Sequence, residues 1–177
     1  PVLTDNPFDI LSVDYGCSFD SLTSNIQVTA TMKVSSLVPV PAGGLWRISF
    51  AANAAGGVSD NGDQFYLLAG TTGAAPTFTY GTAVRGGDGS MVYTSRGSAD
   101  AGRIDSLAGT ITMSVSLTKL DLYVTAGPPI GSGSVLQGLR ARAGSNGVNA
   151  VMDITRGGTS YRLTCGLPTG IDAPPAR

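Results

Sequence analysis

Between Ser59 and Leu67 the chain reads SDNGDQFYL, with Asp60, Asn61 and Asp63 gathered around Gly62 ahead of an apolar run. Carboxylate and amide oxygens crowded into one turn are donors for a calcium ion, which takes six to eight oxygens in flexible geometry. The stretch is not an EF-hand, because no twelve-residue loop closing on a glutamate surrounds it. A calcium ion here would borrow carboxylates from elsewhere: Asp5, Asp9 or Asp14 near the start, or Asp100 and Asp105. The same residues also make an ordinary turn, in which aspartates accept local backbone amides. The turn is the first reading, and a structural calcium at Asp60, Asn61 and Asp63 is the alternative.

Other reactive patterns are weaker. Asp60, Asp63, Asp88, Asp100 and Asp105 offer carboxylate pairs for glycoside hydrolysis, one as acid and one as base or nucleophile. An acid near neutral pH needs a raised pKa and a cleft. All five residues fall in glycine-rich turns that supply neither. Ser116-Leu-Thr-Lys119 spells S-x-x-K and Ser59-Asp60-Asn61 spells S-D-N, two motifs of serine β-lactamases. Here their order is reversed and K-T-G is missing. In those enzymes the serine opens a helix, whereas Ser116 reads as a solvent-facing residue of an alternating strand. The chain has no histidine, which excludes Ser-His-Asp and Cys-His machinery and imidazole metal ligands. Two distant thiols are too few for zinc, and no glycine fingerprint for phosphate is present. The expectation is a domain without a catalytic site.

The scaffold is clearer. All 12 acidic residues are aspartate, and lysine occurs only at Lys33 and Lys119. Helix surfaces are normally filled with Glu, Lys and Gln, whose straight side chains lose little freedom there. This chain is rich instead in Thr, Ser, Val and Gly, the residues of strands and turns. The net charge is −1, only 13% of residues are charged, and the arginines are scattered along the sequence. That argues against nucleic acid or an anionic membrane surface as partner. No apolar run approaches a membrane helix, so no membrane insertion is expected. The chain starts at Pro1 without a leader, as expected of a mature or excised fragment. Cys17 and Cys165 would pair in an oxidising compartment and stay as buried thiols in the cytosol. The Lys-poor, Ser/Thr/Gly-rich surface favours secretion or the cell surface, and hence the disulfide.

In NIQVTATMKVSSL, Ile26, Val28, Ala30, Met32 and Val34 share one parity while Gln27, Thr29, Thr31, Lys33 and Ser35 hold the other. Such alternation predicts a strand with one buried and one wet face. LWRISFAAN places Trp46, Ile48, Phe50 and Ala52 inward and Arg47 and Ser49 outward. GTITMSVSL places Ile111, Met113, Val115 and Leu117 inward, with Thr110, Thr112, Ser114 and Ser116 outward. ILSVDYGCSF aligns Leu11, Val13, Tyr15, Cys17 and Phe19, and the last strand aligns Tyr161, Leu163 and Cys165, so both cysteines fall on inward faces. QFYLLAG, PTFTYGTAV, MVYTSRG, VLQGLRARA and VNAVMDITRGG complete eight to ten strands, with a short helical turn at SLTKLDLY or VLQGLRA. The spacing predicts an all-β, two-sheet antiparallel β-sandwich of jelly-roll kind over residues 1–167, with residues 168–177 a Pro-rich tail or linker end.

A sugar-binding face needs aromatic platforms beside polar groups. Trp46 shares parity with Ile48 and Phe50 and belongs to the core, as do Phe78 and Tyr80. Tyr66 has the opposite parity to Phe65 and is the candidate binding residue; Tyr93 and Tyr123 are the others.

The order of phrases PFDILSVDYG, SSLVPVPAGGLWRISF, QFYLLAG, APTFTYGTAV, ADAGRIDSLAGTITMSVSLTKL and VLQGLRARAG, spanning Phe8 to Cys165, resembles accessory β-sandwich modules of secreted bacterial multidomain proteins. These modules are often C-terminal to subtilisin-like proteases and are similar to DOMON and family-9 carbohydrate-binding sandwiches. In them the segment matching Asp100, Ala101 and Gly102 precedes the strand that begins here at Gly109. The cysteine pair and the insert GGVSDNGD depart from the pattern. The resemblance implies a non-catalytic module that binds carbohydrate or a protein surface, or that acts as a spacer. The first alternative is a self-associating subunit of a surface layer, filament or capsid, suited by low charge and many Thr/Ser edges. The second is an aspartate-based glycoside hydrolase.

Overall fold

The computed structural model describes residues 6–20, 25–53, 62–125, 127–146, 151–155 and 159–165. In chain order the elements are β1 (Ile10–Asp20), β2 (Asn25–Val34), β3 (Gly44–Ala52), β4 (Asp63–Gly70), β5 (Thr77–Arg85), β6 (Met91–Ser98), β7 (Ala101–Asp105), β8 (Thr110–Ser116), α1 (Leu117–Asp121), β9 (Val135–Ser145), β10 (Val151–Ile154) and β11 (Thr159–Arg162). They form two antiparallel sheets. The four-stranded sheet runs β1-β2-β8-β7, and the seven-stranded sheet runs β10-β9-β3-β4-β5-β6 with β11 also paired to β9. The chain crosses between sheets after β2, β6 and α1, which wraps it into the expected all-β sandwich. The proposed tail, residues 168–177, lies outside the described residues.

Period-two patterning builds the core as read. Val28, Ala30, Met32 and Val34 of β2 and Ile111, Met113 and Val115 of β8 face Trp46, Ile48 and Phe50 of β3 and Phe65 and Leu67 of β4 in one buried cluster. Burial of each large side chain contributes about 1.5–3 kcal/mol. Trp46 satisfies its one polar atom by donating Nε1–H to the Pro7 carbonyl at 3.0 Å. On the outer face of the smaller sheet Thr29 Oγ1 meets Ser114 Oγ at 2.8 Å, Thr31 meets Thr112 at 3.2 Å, and Lys33 Nζ donates to the Ala108 carbonyl at 2.8 Å.

The disulfide is present. Cys17 on β1 joins Cys165, just past β11, with their Cα atoms 5.2 Å apart. It ties the edge of one sheet to the edge of the other. Tyr15 and Tyr161 stack beside it with centroids 6.1 Å apart, and the Ile10 amide donates to Asp153 Oδ2 at 2.9 Å along the same seam. Closing a loop with a sequence separation of 148 is worth about 5 kcal/mol in the chain-entropy model.

Four details differ from the sequence reading. Leu11 is 57% exposed rather than inward, because the register slips between Ile10 and Ser12 and Leu11 is the extra residue of the bulge. Ser114 and Ser116 are only 8% and 5% exposed. Ser114 is a small side chain in a strand flanked by both β2 and β7, and Ser116 sits where the strand turns into α1. The helical turn therefore forms at Leu117–Asp121, while VLQGLRA is the first part of β9. Lastly, ADAGRID contributes β7, a strand its composition does not announce. Its Gly102 lies under the Phe78 ring, and a Cβ there would come 2.0 Å from Phe78 Cγ.

Candidate binding face

Two irregularities decide which side chains share the outer face of the seven-stranded sheet. In β9, Leu136 and Leu139 are both buried although they lie three positions apart, an odd number. Gly138, at φ +59°, absorbs the mismatch where the pairing with β3 shifts between Ser49 and Ala51. The parity beyond Gly138 is thereby inverted, and Arg140 and Arg142 emerge on the outer side. Arg142 lies directly opposite Arg47 of β3, and Arg140 opposite Ser49. In β6 the register slips between Tyr80 and Gly81, so Gly81 faces Ser95 and Tyr80 faces Gly97. Arg96 is the residue left over. It turns to the inner side, where its Nε donates to Thr82 Oγ1 at 3.1 Å and its guanidinium lies 4.4 Å from the Tyr123 ring centroid.

Tyr66 does take the side opposite Phe65, but it is 4% exposed and offers no open platform. Its ring lies across Gly81, its partner in the neighbouring strand, where a Cβ would come 2.5 Å from Tyr66 Cε1. Tyr93 meets it edge-on at 5.4 Å, and the Arg47 guanidinium stacks on Tyr93 at 3.6 Å from the ring centroid. This layer divides the face. On one side is a depression of about 270 Å³ lined by Leu45, Arg47, Leu68 and Arg142. On the other is one of about 440 Å³ lined by Ser49, Gln64, Met91, Tyr93, Arg140 and Arg142, with Arg85 at its rim.

The electrostatics of this face are one-sided. Among the described residues no carboxylate forms an ion pair with Arg47, Arg140 or Arg142; Asp100 and Asp105 pair with Lys119 and Arg103 instead. Arg47 Nε and Gln137 Oε1 are buried with no hydrogen-bond partner among the described residues. Burial holds the Arg47 guanidinium below its ordinary pKa; Tyr93 opposes this, Arg142 adds to it, and Tyr66 opposes it weakly. Burial likewise raises the Tyr66 phenol, against Ser95 and the nearby arginines.

Of the aspartates singled out in the sequence, Asp63, Asp88, Asp100 and Asp105 are dispersed and each is structurally engaged. Asp63 Oδ1 accepts both the amide and the hydroxyl of Thr125. Asp5, Asp60 and Asn61 lie outside the described residues. Asp88 accepts the Ser90 hydroxyl at 2.7 Å and its amide at 3.0 Å, which holds its carboxyl low. Asp105 takes the Ala108 amide and Arg103. Asp100 accepts the Ser116 amide at 2.6 Å and Lys119 Nζ at 2.8 Å. Burial pushes Asp100 upward, but Lys119 and Ser116 together leave it below the usual carboxylate range. Among the described residues no group of three or more Asp or Cys side chains is placed to hold a metal ion.

The S-x-x-K motif needs a correction. Ser116 is the N-cap of α1 and is buried, so the motif does open a helical turn. Lys119 is nevertheless committed to Asp100 and to the Ser98 carbonyl at 3.0 Å, while Ser116 Oγ accepts the Thr118 hydroxyl at 3.2 Å.

The outward position of Arg47 followed from the parity of β3. Tyr93 was among the aromatic candidates, whereas Arg140 and Arg142 were missed. The signal for these two arginines was Leu136-x-x-Leu139 with Gly138 between, the mark of a bulge inside an alternating strand. Comparisons with protein-family models, curated proteins and solved structures return no match to this chain.

Proposed function

We propose that this sandwich is a non-catalytic accessory module of a larger secreted bacterial protein, similar to the subtilase-appended and DOMON-like modules, and that it binds carbohydrate on the outer face of its seven-stranded sheet. The observation that carries this reading is the layer of Tyr66, Tyr93 and Arg47 between two depressions whose walls include Ser49, Gln64, Arg140 and Arg142. Strand-borne side chains locked by one another make a rigid recognition surface. The Cys17–Cys165 bridge supports an oxidising compartment, and no described helix is long and apolar enough to cross a membrane. The structural engagement of Asp63, Asp88, Asp100 and Asp105 supports a binding rather than a hydrolytic role. Titration against a panel of soluble polysaccharides tests the reading: binding that Tyr93→Ala removes supports it, and no binding across the panel defeats it. Turnover of any panel member that is lost in an Asp60→Asn/Asp63→Asn variant would establish the hydrolase instead.

A second reading, self-association, has its own observation. Val84 and Val92 are cross-strand partners, 66% and 56% exposed, where β6 forms the edge of the sheet. Sedimentation velocity separates the two: a concentration-independent monomer fits the module, and large species fit an assembly. Calcium at Asp60, Asn61 and Asp63 is a separate proposal. A chelator that lowers the melting temperature, with calcium restoring it, supports the ion; an unchanged midpoint rejects it.

A further inference from the structure

Resting on the reading of this face as a carbohydrate site, we infer that its ligand is an acidic polysaccharide whose carboxylate or sulfate groups bridge Arg47, Arg142 and Arg140. Arg47 and Arg142 stand directly opposite each other on paired strands, a position where like charges destabilise a sheet. Arg140 follows two residues along on the same side of β9, about 7 Å further. The protein supplies these three with no carboxylate among the described residues, although it places aspartates beside Arg103 and Lys119. Two guanidiniums held side by side fit an oxyanion, since each planar fork can offer parallel N–H donors to a carboxylate or sulfate.

The rest of the site agrees. Stacking on Tyr93 fixes the plane of the Arg47 guanidinium, so less side-chain freedom is lost on binding. Arg47 Nε is a buried donor still lacking a partner among the described residues. Ser49 and Gln64 line the adjoining depression with groups suited to sugar hydroxyls. An acidic peptide is the less favoured partner, because among the described residues each depression mixes arginines with its apolar side chains rather than forming an apolar anchor pocket. The larger apolar lining residues of the second depression are Met91, half-buried, and Ile154, 50% exposed.

The test uses polygalacturonate and its fully methyl-esterified form, dextran sulfate and dextran, and poly-glutamate, titrated calorimetrically at low and moderate salt. The expected result is binding of polygalacturonate or dextran sulfate, at least about tenfold weaker binding of the neutral counterpart, and weakening by salt. Whichever acidic polymer binds tells carboxylate from sulfate. Arg142→Gln and, separately, the exposed Arg140→Gln should each cost about tenfold in affinity. The Arg142→Gln protein should melt at the same or a higher temperature without ligand, because a like-charge contact is gone. Arg103→Gln, on the other sheet, should bind like the parent. Equal affinity for the esterified and free acids overturns the acidic ligand and leaves the carbohydrate reading standing. Binding of poly-glutamate alone overturns both in favour of a protein partner. No binding to any probe at low salt also overturns both.

Discussion

The two sheets turn very different outer faces to solvent. On the four-stranded sheet, hydroxyls meet across strands at Thr29–Ser114 and Thr31–Thr112, and Lys33 is anchored on the Ala108 carbonyl. On the seven-stranded sheet, Arg47 and Arg142 oppose each other, and Tyr66 and Tyr93 fold over the strands instead of pointing away. Both faces grow from the same period-two alternation. The first uses mostly short side chains that satisfy one another. The second holds bulky cations partly out of water without counter-charge among the described residues, and the free energy this costs is what an anionic ligand would release.

Four experiments bear on this contrast, in order of expected effect. The largest is Gly81→Val. Its side chain would start 2.2 Å from the Thr94 carbonyl and 2.5 Å from the Tyr66 ring, so the aromatic layer must lift. Chemical denaturation should show a loss of about 3 kcal/mol, against less than about 1 kcal/mol for Thr31→Val on the quieter face. A small effect at Gly81 would mean that the Tyr66 ring is not held as described. Next is Tyr93→Ala, which removes both the edge contact and the bed of Arg47. About 1–2 kcal/mol should be lost, together with polysaccharide binding. Retained binding would move the site elsewhere.

The third experiment is a cycle on the smaller sheet. Thr29→Val or Ser114→Ala alone strands a hydroxyl and should cost about 1 kcal/mol, while the pair together should cost little more than either single change. Additive losses would show that Thr29 and Ser114 do not satisfy each other. The smallest effect concerns acid. The Asp100 carboxyl is held below its ordinary range in the fold, so its contribution is complete above the unfolded value near 3.9 and fades as pH falls through the folded one. The melting-temperature gap between parent and Asp100→Asn should therefore narrow as pH drops from about 6 to about 2. A gap that stays constant across that range would show that Lys119 and Ser116 do not hold the Asp100 carboxyl down.

The sandwich was legible because β2, β3 and β8 alternate without interruption and their large apolar residues lie where the period puts them. Legibility failed wherever one extra residue entered a strand. Leu11 was placed inward because a bulge between Ile10 and Ser12 cannot be seen in side-chain types. The side taken by Arg140 and Arg142 depends on Gly138, whose role shows only through Leu136 and Leu139. β7 escaped notice because Ala101 and Gly102 carry no β signature, and Gly102 is there to seat the Phe78 ring. Tyr66 illustrates the last gap. Parity gave its side correctly, but its burial depends on Gly81 and Tyr93, which come from two other strands. The candidate face is thus assembled by tertiary neighbours and by irregularities, the two things a local pattern does not encode.

The bridge from Cys17 to Cys165 also governs how the domain carries mechanical load. Tension entering before β1 and leaving after β11 loads the Ile10–Gly16 stretch of β1 and then passes through the sulfur–sulfur bond, bypassing the hydrogen-bonded ladders between Cys17 and Cys165. Stretched by its flanks, the oxidised domain should yield no more than that short stretch and keep the rest of both sheets intact. Under reducing conditions the same pull should peel the edge strands and release the whole intervening contour length, a difference that single-molecule extension would resolve.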